Sequence, residues 1–185
     1  MSTAVAGAKT GHRTAILVRV GVLAAVGFIL MLLEFPSGMA PHLQFDVGDL
    51  PALLGGFAMG PVAGLAVVFV RNAIFFFSGK DEAGWIGTLA SLVSSLCLVG
   101  VAAVVYHQYH TLKGAILGLV GGILAATVVM VLANYYFFIP MYLGKIETSL
   151  LLQLLRVTAL FNLAKGSMNA AATFLVYKRV RALLR

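Results

Sequence analysis

Long apolar runs, separated by short polar stretches, constrain the fold of this chain more than any other feature. A helix of about 20 apolar residues crosses the hydrocarbon layer of a membrane, and several runs here reach that length. Charged residues make up only 10% of the 185-residue chain, whereas a soluble domain carries about 25%. Barrel strands would alternate polar and apolar residues, which these runs do not. The sequence therefore predicts an all-α integral membrane protein.

Six hydrophobic segments can be placed on the chain, at about residues 15–33, 50–59, 61–77, 85–106, 114–139 and 150–177. The second segment is too short to cross a membrane, since Gly60-Pro61 ends it after about 15 Å of helix. Asp49 is a fitting N-cap for this helix, with Pro51 in its first turn. Short or Gly/Pro-interrupted segments are typical of transport sites. We expect a six-helix transmembrane bundle.

The distribution of Lys and Arg predicts how the bundle is oriented. With both termini in the cytoplasm, seven basic residues lie inside and two, Lys80 and Lys145, lie outside, which satisfies the positive-inside rule. The seven are Lys9, Arg13, Lys113, Lys178, Arg179, Arg181 and Arg185. The net charge of +7 is therefore attributed to topology and not to nucleic-acid binding. The predicted parts are a cytoplasmic tail (1–13), a membrane domain (14–180) and a basic tail (181–185).

Small residues recur at the spacing used for close helix packing. Two sets of glycines are spaced by four residues, namely Gly56, Gly60, Gly64 and Gly114, Gly118, Gly122. This spacing lets helix backbones approach closely in lipid, so we expect both sets at contacts within the bundle. Gly21 and Ala25 form a similar pair in the first segment, where packing in the bundle and contact with another membrane protein both remain open.

Polar side chains lie in the middle of the last hydrophobic segment. They are Thr158, Asn162, Lys165 and Asn169. At 100° per residue, the four positions fall within about 60° of arc on one helix face. A lysine at the bilayer centre costs about 2.5–3.5 kcal/mol on insertion scales, so this face must meet protein, water or a ligand. A hydrogen-bond network between helices is one explanation, and a ligand pocket is the one we favour.

The fifth segment offers a partner for this polar face. Asn134 is a second amide inside an apolar run, and Tyr135 and Tyr136 follow it. An aromatic wall with a few donors and acceptors suits a flat heteroaromatic ligand, although tyrosines near a span end also form interfacial belts. A proton relay would need a carboxylate inside the membrane, and the six acidic residues fall at segment ends or in loops.

Sequence motifs for enzymatic chemistry are absent. The chain has no glycine-rich phosphate-binding loop. Its four histidines lack the partners of a zinc site or a catalytic triad, so we predict neither a metal site nor a catalytic one. Cys97 is the only cysteine, which excludes a disulfide within the chain.

Four stretches resemble the riboflavin-binding S components of energy-coupling factor (ECF) vitamin importers. They are LEFP (33–36), FDVGDLPALLGGFAMGPVAGLAVVFVRN (45–72), NYYFFIPMY (134–142) and FNLAKG (161–166). The resemblance implies the S-component fold in a bacterial cell membrane, and a subunit that binds riboflavin from outside as its transported ligand, with no cofactor. It also implies partners, namely a membrane T component and two ABC ATPases that would hydrolyse ATP.

The same resemblance implies roles for individual residues. Asn134, Asn162 and Lys165 would hydrogen-bond the isoalloxazine ring, and the loop at about 34–48, with its stretch HLQFD (42–46), would cover it. The further candidate ligand-binding residues are Gln44, Phe45, Asp46, Thr88, Tyr135, Thr158 and Asn169. Gly21 and Ala25 would dock on the T component.

The fourth segment departs from the family pattern. The family's Gly-Glu-x-x-Asn is replaced here by GTLAS (87–91), so Thr88 and Ser91 are weaker, uncharged partners. Preference between riboflavin and its phosphate (FMN) stays open for this reason. Two further functions also stay open: an S component for a different vitamin, and a structural membrane subunit that transports nothing.

Overall fold

The computed structural model describes residues 2–40, 43–80, 84–144 and 146–180, with side chains between Thr14 and Tyr177. The described part is mostly helical, as predicted. Its helices are α1 (Ser2–Leu32), α2 (Asp49–Met59), α3 (Pro61–Ser78), α4 (Gly84–Tyr109), α5 (Leu112–Ala133), a π-helical turn (Asn134–Phe138), α6 (Ile139–Leu143) and α7 (Thr148–Val180). Two short antiparallel strands, β1 (Phe35–Pro36) and β2 (Gln44–Phe45), join α1 to α2.

Four helical stretches are long and apolar enough to cross a membrane, namely Thr14–Leu32, Pro61–Ser78, Gly84–Tyr109 and Leu112–Leu143. Helix α2 has 11 residues, which confirms the short second segment. Helix α7 has 33 residues but is not among the four, because its asparagines and Lys165 lower its mean hydropathy. Helix α1 begins at Ser2, ahead of the predicted start at residue 15, since no proline interrupts the Ala-rich N-terminal stretch.

Helices α2 and α3 form a tight hairpin at the predicted break. Gly60 takes a φ of 101°, a conformation that L side chains rarely adopt, and Pro61 starts α3 without needing its missing N–H. A Cβ atom on Gly64 would lie 2.8 Å from the Cα of Gly56. The predicted glycine contact is therefore confirmed for this pair of helices.

Helices α4 and α5 approach each other in the same way. A Cβ atom on Gly118 would lie 2.6 Å from the carbonyl oxygen of Ala102, and one on Gly122 would lie 2.5 Å from that of Leu98. Only a hydrogen atom fits at either position. This confirms that the second glycine set serves packing inside the bundle.

Asp49 does not cap α2, contrary to expectation. Gly48 occupies the N-cap position, and an Asp49 carboxylate oxygen lies 3.0 Å from Nη2 of Arg71 in α3. Arg71 is only 1% exposed, so its charge needs a neighbouring anion more than the helix end needs a cap. The same Nη2 donates to Ser95 Oγ at 2.9 Å. The arginine thereby joins α2, α3 and α4.

The connection between α1 and α2 folds over one end of the bundle. Its strands pair Phe35 with Phe45 and Pro36 with Gln44, and the Ser37 amide donates to the Leu43 carbonyl oxygen at 3.0 Å. We call residues 33–48 the capping loop. His42, part of the predicted closing stretch, lies outside the described residues.

Aromatic residues fill the other end of the bundle. The hydroxyl groups of Tyr106 and Tyr177 are 2.7 Å apart, and the Phe57 ring lies 4.5 Å from that of Tyr106. All three residues are buried. The open space in the bundle is therefore on the side of the capping loop.

The glycine contact between α4 and α5 can be tested with a matched pair of variants. A Cβ atom on Gly122 would meet a backbone oxygen at 2.5 Å, whereas one on Gly121 would meet a Val101 methyl group at an ordinary 3.6 Å. We expect Gly122→Ala to lower the free energy of unfolding by about 1–3 kcal/mol and Gly121→Ala to change it little. Equal melting temperatures for the two variants in detergent would contradict the contact.

Candidate ligand-binding site

A cavity of about 420 Å³ lies beneath the capping loop. Ligand pockets typically enclose about 300–1,000 Å³. The walls are formed by α4, by the α5–α6 region and by α7, and the capping loop closes the top. The polar lining residues are Glu34, Gln44, Asp46, Ser91, Ser94, Asn134, Tyr142, Thr158, Asn162 and Lys165.

The polar face of α7 meets this cavity. Thr158, Asn162 and Lys165 all line it, as the helical spacing predicts. Thr158 and Asn162 are buried. Asn169 continues the same face one turn further but lies outside the cavity lining. The face therefore divides into a cavity part and a part that contacts protein, so both explanations of the polar residues apply.

Lys165 is paired with a carboxylate from the capping loop. Its Nζ lies 2.6 Å from Asp46 Oδ2 and 5.9 Å from the centre of the Phe161 ring. Burial by itself raises the pKa of Asp46, but the charges of Lys165 and Arg71 and the hydrogen bonds from Lys165 and the Gly48 amide outweigh it. The pKa of Asp46 is therefore below its ordinary value, which keeps the carboxylate charged.

Asn169 anchors the capping loop at the point where it enters α2. Its Nδ2 donates to the Asp46 carbonyl oxygen at 2.8 Å, and its Oδ1 accepts from the Asp49 amide at 3.2 Å. The side chain is fully buried. The structure thus gives Asn169 a role in holding the loop against α7, next to the Lys165–Asp46 pair.

Two amides, Asn162 in α7 and Asn134 in the π-helical turn, line the cavity. Asn162 donates to the Thr158 carbonyl oxygen at 2.9 Å and accepts from Ser94 Oγ at 3.0 Å. Asn134 donates to the Met130 carbonyl oxygen at 2.8 Å. Each amide has two N–H bonds and two acceptor sites, so both keep hydrogen-bonding capacity for a ligand.

Tyr135 lies in the π-helical turn and is not part of the cavity lining. The Ile139 amide bonds to the Asn134 carbonyl oxygen, five residues back, which is the hydrogen-bond pattern of a π-helix. Tyr135 is 46% exposed and lies on the outside of this turn. Its neighbour Asn134 faces the cavity.

The remaining predicted residues take different positions. Gln44 lines the cavity, whereas Phe45 stacks on Phe161 with ring centres 5.2 Å apart. Thr88 is buried but lies outside the cavity lining, and Ser91 and Ser94 are the α4 hydroxyl groups that line it. The α4 segment GTLAS (87–91), which differs from the family pattern, therefore lies partly on the cavity wall.

Four residues of the site were not singled out from the sequence, namely the polar lining residues Glu34, Ser94 and Tyr142 and Arg71, whose charge acts on Asp46. Arg71 was readable as a charge inside an apolar helix, which marks a buried pair or a functional site. Ser94 carries no such signal, because serine is common in membrane helices. Its contact with Asn162 joins residues that are 68 positions apart and depends on how α4 packs beside α7.

The predicted docking pair lies on the outer surface of the bundle. Gly21 and Ala25 are exposed on α1, and a Cβ atom on Gly21 would meet nothing within 4 Å. Neighbouring apolar side chains such as Val22 and Ile29 are also exposed. This pair therefore does not pack inside the bundle.

Fold and cavity together define a class, a helical protein with apolar membrane-length helices and a partly open cavity that polar side chains line on one side. The solved S component of a bacterial ECF transporter superposes on this chain with a TM-score of 0.82 and 26% identity, over 94% of this chain and 99% of that one. Residues 16–177 of this chain match the model of the protein family described as "ECF transporter, substrate-specific component". The chain belongs to this family of substrate-specific ECF transporter components.

Individual relatives carry more specific names. Riboflavin transporter RibU of Staphylococcus aureus (strain TCH60) is 29% identical over 91% of this chain and 92% of its own length. Riboflavin transporter FmnP of Bacillus subtilis (strain 168) is 28% identical over 89% of this chain and 91% of its own length. Each similarity therefore extends over most of both chains.

The low pKa of Asp46 predicts how the loop contact responds to pH. A carboxyl group with a depressed pKa adds stability above its unfolded pKa of about 4 and loses it as the pH falls through the folded value. The melting-temperature difference between wild type and Asp46→Asn should stay constant from about pH 5 to 8 and shrink below about pH 4.

Glu147→Gln is the matched control for this experiment, since Glu147 is an exposed carboxylate near the same end of the bundle. It should melt like the wild type throughout. A wild-type advantage over Asp46→Asn that disappears already near neutral pH would contradict the depressed pKa.

Proposed function

We propose that this chain is the riboflavin-binding S component of an ECF vitamin importer, which takes the vitamin from outside the cell. The observation that carries the proposal is the polar face of α7 directed into a cavity that Asn134 also lines. The relatives named as riboflavin transporters support the choice of ligand.

The chemistry of the cavity suits this ligand. Riboflavin is uncharged and has a flat ring whose edge alternates carbonyl acceptors with an N–H donor. An ammonium group donates and a carboxamide both donates and accepts, so Lys165, Asn162 and Asn134 together can match such an edge. Phe138 and Phe161 add apolar rings to the lining, which suits a flat aromatic ligand.

The capping loop would enclose the bound vitamin. Gln44 and Asp46 face the cavity from above, and the Lys165–Asp46 pair holds the loop to α7. Exclusion of water strengthens each remaining hydrogen bond. The loop would have to open for the vitamin to enter, which requires that the Asp46 contacts with α7 separate.

The membrane arrangement follows from the same proposal. The bundle would have six membrane segments, including the short α2 and the polar α7, with both termini in the cytoplasm and the capping loop outside. The excess of basic residues at the opposite ends of the segments supports this orientation. Half-length helices paired with a full span at a binding site are typical of transport proteins.

Energy would come from partner proteins. We propose that a membrane T component, bound to two ABC ATPases, receives this subunit at the exposed Gly21–Ala25 surface of α1. Small residues in lipid-facing positions let a second helix approach closely. The chain itself would bind and deliver the vitamin and catalyse no reaction.

Direct binding of riboflavin to the purified protein tests the proposal. Trp85 is the one tryptophan of the chain and precedes the cavity-lining residues Ile86 and Gly87, so its emission should be quenched by bound flavin. Lys165→Ala should weaken binding by about 1–3 kcal/mol, because ring acceptors lose their donor. Lys80→Ala, at an exposed position, should bind like the wild type.

Different ligands are outcomes of the same experiment. Tight binding of FMN or of another vitamin, with no binding of riboflavin, would replace the ligand and keep the transport role. Failure to bind any member of a vitamin panel, by a protein that still associates with membrane partners, would favour a structural subunit.

The docking surface can be tested apart from ligand binding. Gly21→Phe or Ala25→Phe should abolish riboflavin uptake by cells while the purified variant still binds the vitamin, because the new ring keeps a partner helix at a distance. Val120→Phe is the control, since Val120 is half-exposed on α5. Unchanged uptake in the α1 variants would remove this surface from the docking site.

A further inference from the structure

A hydrogen bond between Ser94 and Asn162 joins the two walls of the cavity. Ser94 lies on α4 and Asn162 on α7, and both side chains line the cavity. The serine Oγ donates to Asn162 Oδ1 at 3.0 Å. Asn162 is 7% exposed, so its polar atoms depend on partners inside the protein.

The two hydrogen bonds of Asn162 fix the orientation of its amide. Nδ2 donates to the Thr158 carbonyl oxygen at 2.9 Å, which leaves one N–H bond unused. A flipped amide would set Oδ1 against this carbonyl oxygen, two acceptors without a hydrogen between them. The hydrogen-bond network therefore assigns Oδ1 to Ser94.

Asn134 shows what the serine adds. In the described part of the chain, its side chain is held by the Met130 carbonyl oxygen of its own helix and by no side chain from another helix. Asn162 has the same kind of bond within α7 and, in addition, the bond from α4. The second bond restricts rotation of the amide about its side-chain torsions.

We infer that Ser94 is a positioning residue for ligand recognition. It holds the Asn162 amide so that the remaining N–H bond is directed at a hydrogen-bond acceptor of the ligand, such as a ring carbonyl oxygen. This inference rests on the proposed riboflavin function. Ser94 acts through Asn162, and its hydroxyl hydrogen is already used in that contact.

Loss of the hydroxyl group should therefore weaken binding through the asparagine. Without Ser94, Oδ1 of a buried amide loses a partner, and the side chain can turn to satisfy itself elsewhere. Alanine fits an α-helix at least as well as serine, so Ser94→Ala should fold.

A double-mutant cycle tests this chain of effects. The dissociation constant for riboflavin is measured by quenching of flavin fluorescence for the wild type, Ser94→Ala, Asn162→Ala and the double variant. Ser94→Ala should weaken binding about tenfold. The double variant should bind no worse than Asn162→Ala alone, because the serine has nothing left to position. Ser94→Thr keeps the hydroxyl group and should restore near wild-type affinity.

Each of the remaining outcomes overturns the inference. Additive losses in the double variant would mean that Ser94 contacts the ligand or acts independently of Asn162. Unchanged affinity of Ser94→Ala would remove the residue from recognition. Ser94→Ala could lower the melting temperature of the ligand-free protein enough to account for its loss of affinity. If Ser94→Thr then restores neither property, the role of Ser94 is purely structural. A wild type that binds no flavin would instead overturn the proposed function, and the positioning role with it.

Discussion

Two cations lie within the bundle, the fully buried Arg71 in α3 and the partly buried Lys165 in α7, and the other elements are arranged around them. An uncompensated charge in an apolar bundle is very costly, and each of these is met by an acidic residue from one short segment. Asp46 pairs with Lys165, and Asp49 lies beside Arg71. The segment that carries both acids is thereby drawn between α3 and α7. It ends the capping loop and begins α2, so the charge pairs also set the position of the cavity's cover.

The cavity follows from close packing elsewhere. Gly118 and Gly122 bring α5 against α4, and Gly56 and Gly64 bring α2 against α3, while the rings of Phe57, Tyr106 and Tyr177 fill the bundle at the end away from the loop. The remaining space lies under the capping loop, beside the polar part of α7. Under the proposed function, a ligand there would meet residues from three walls, and the amides of Asn162 and Asn134 would gain partners that lipid could not supply.

Much of the site could be predicted from the sequence because it depends on periodicity within one helix. Thr158, Asn162 and Lys165 were placed on a common face by helical geometry alone, and all three line the cavity. The positions of Tyr135, Asn169 and Asp49 could not be obtained in this way. Tyr135 is exposed, whereas its neighbour Asn134 lines the cavity, and which of the two faces the cavity depends on how the helices pack. Asn169 and Asp49 take partners on distant segments, and such partners depend on how the helices pack together.

The helical class, the break at Gly60-Pro61, the glycine contacts and the polar face of α7 can all be predicted from the sequence, since each follows from local composition or from spacing along one segment. Three other features depend on how the helices pack: the pairing of each acid with its cation, the contact of Ser94 with Asn162, and the division of the α7 face between the cavity and the capping loop. Those features join residues 22 to 123 positions apart. Their free energy comes from pairing buried polar groups, and the pairing exists only once the helices are packed.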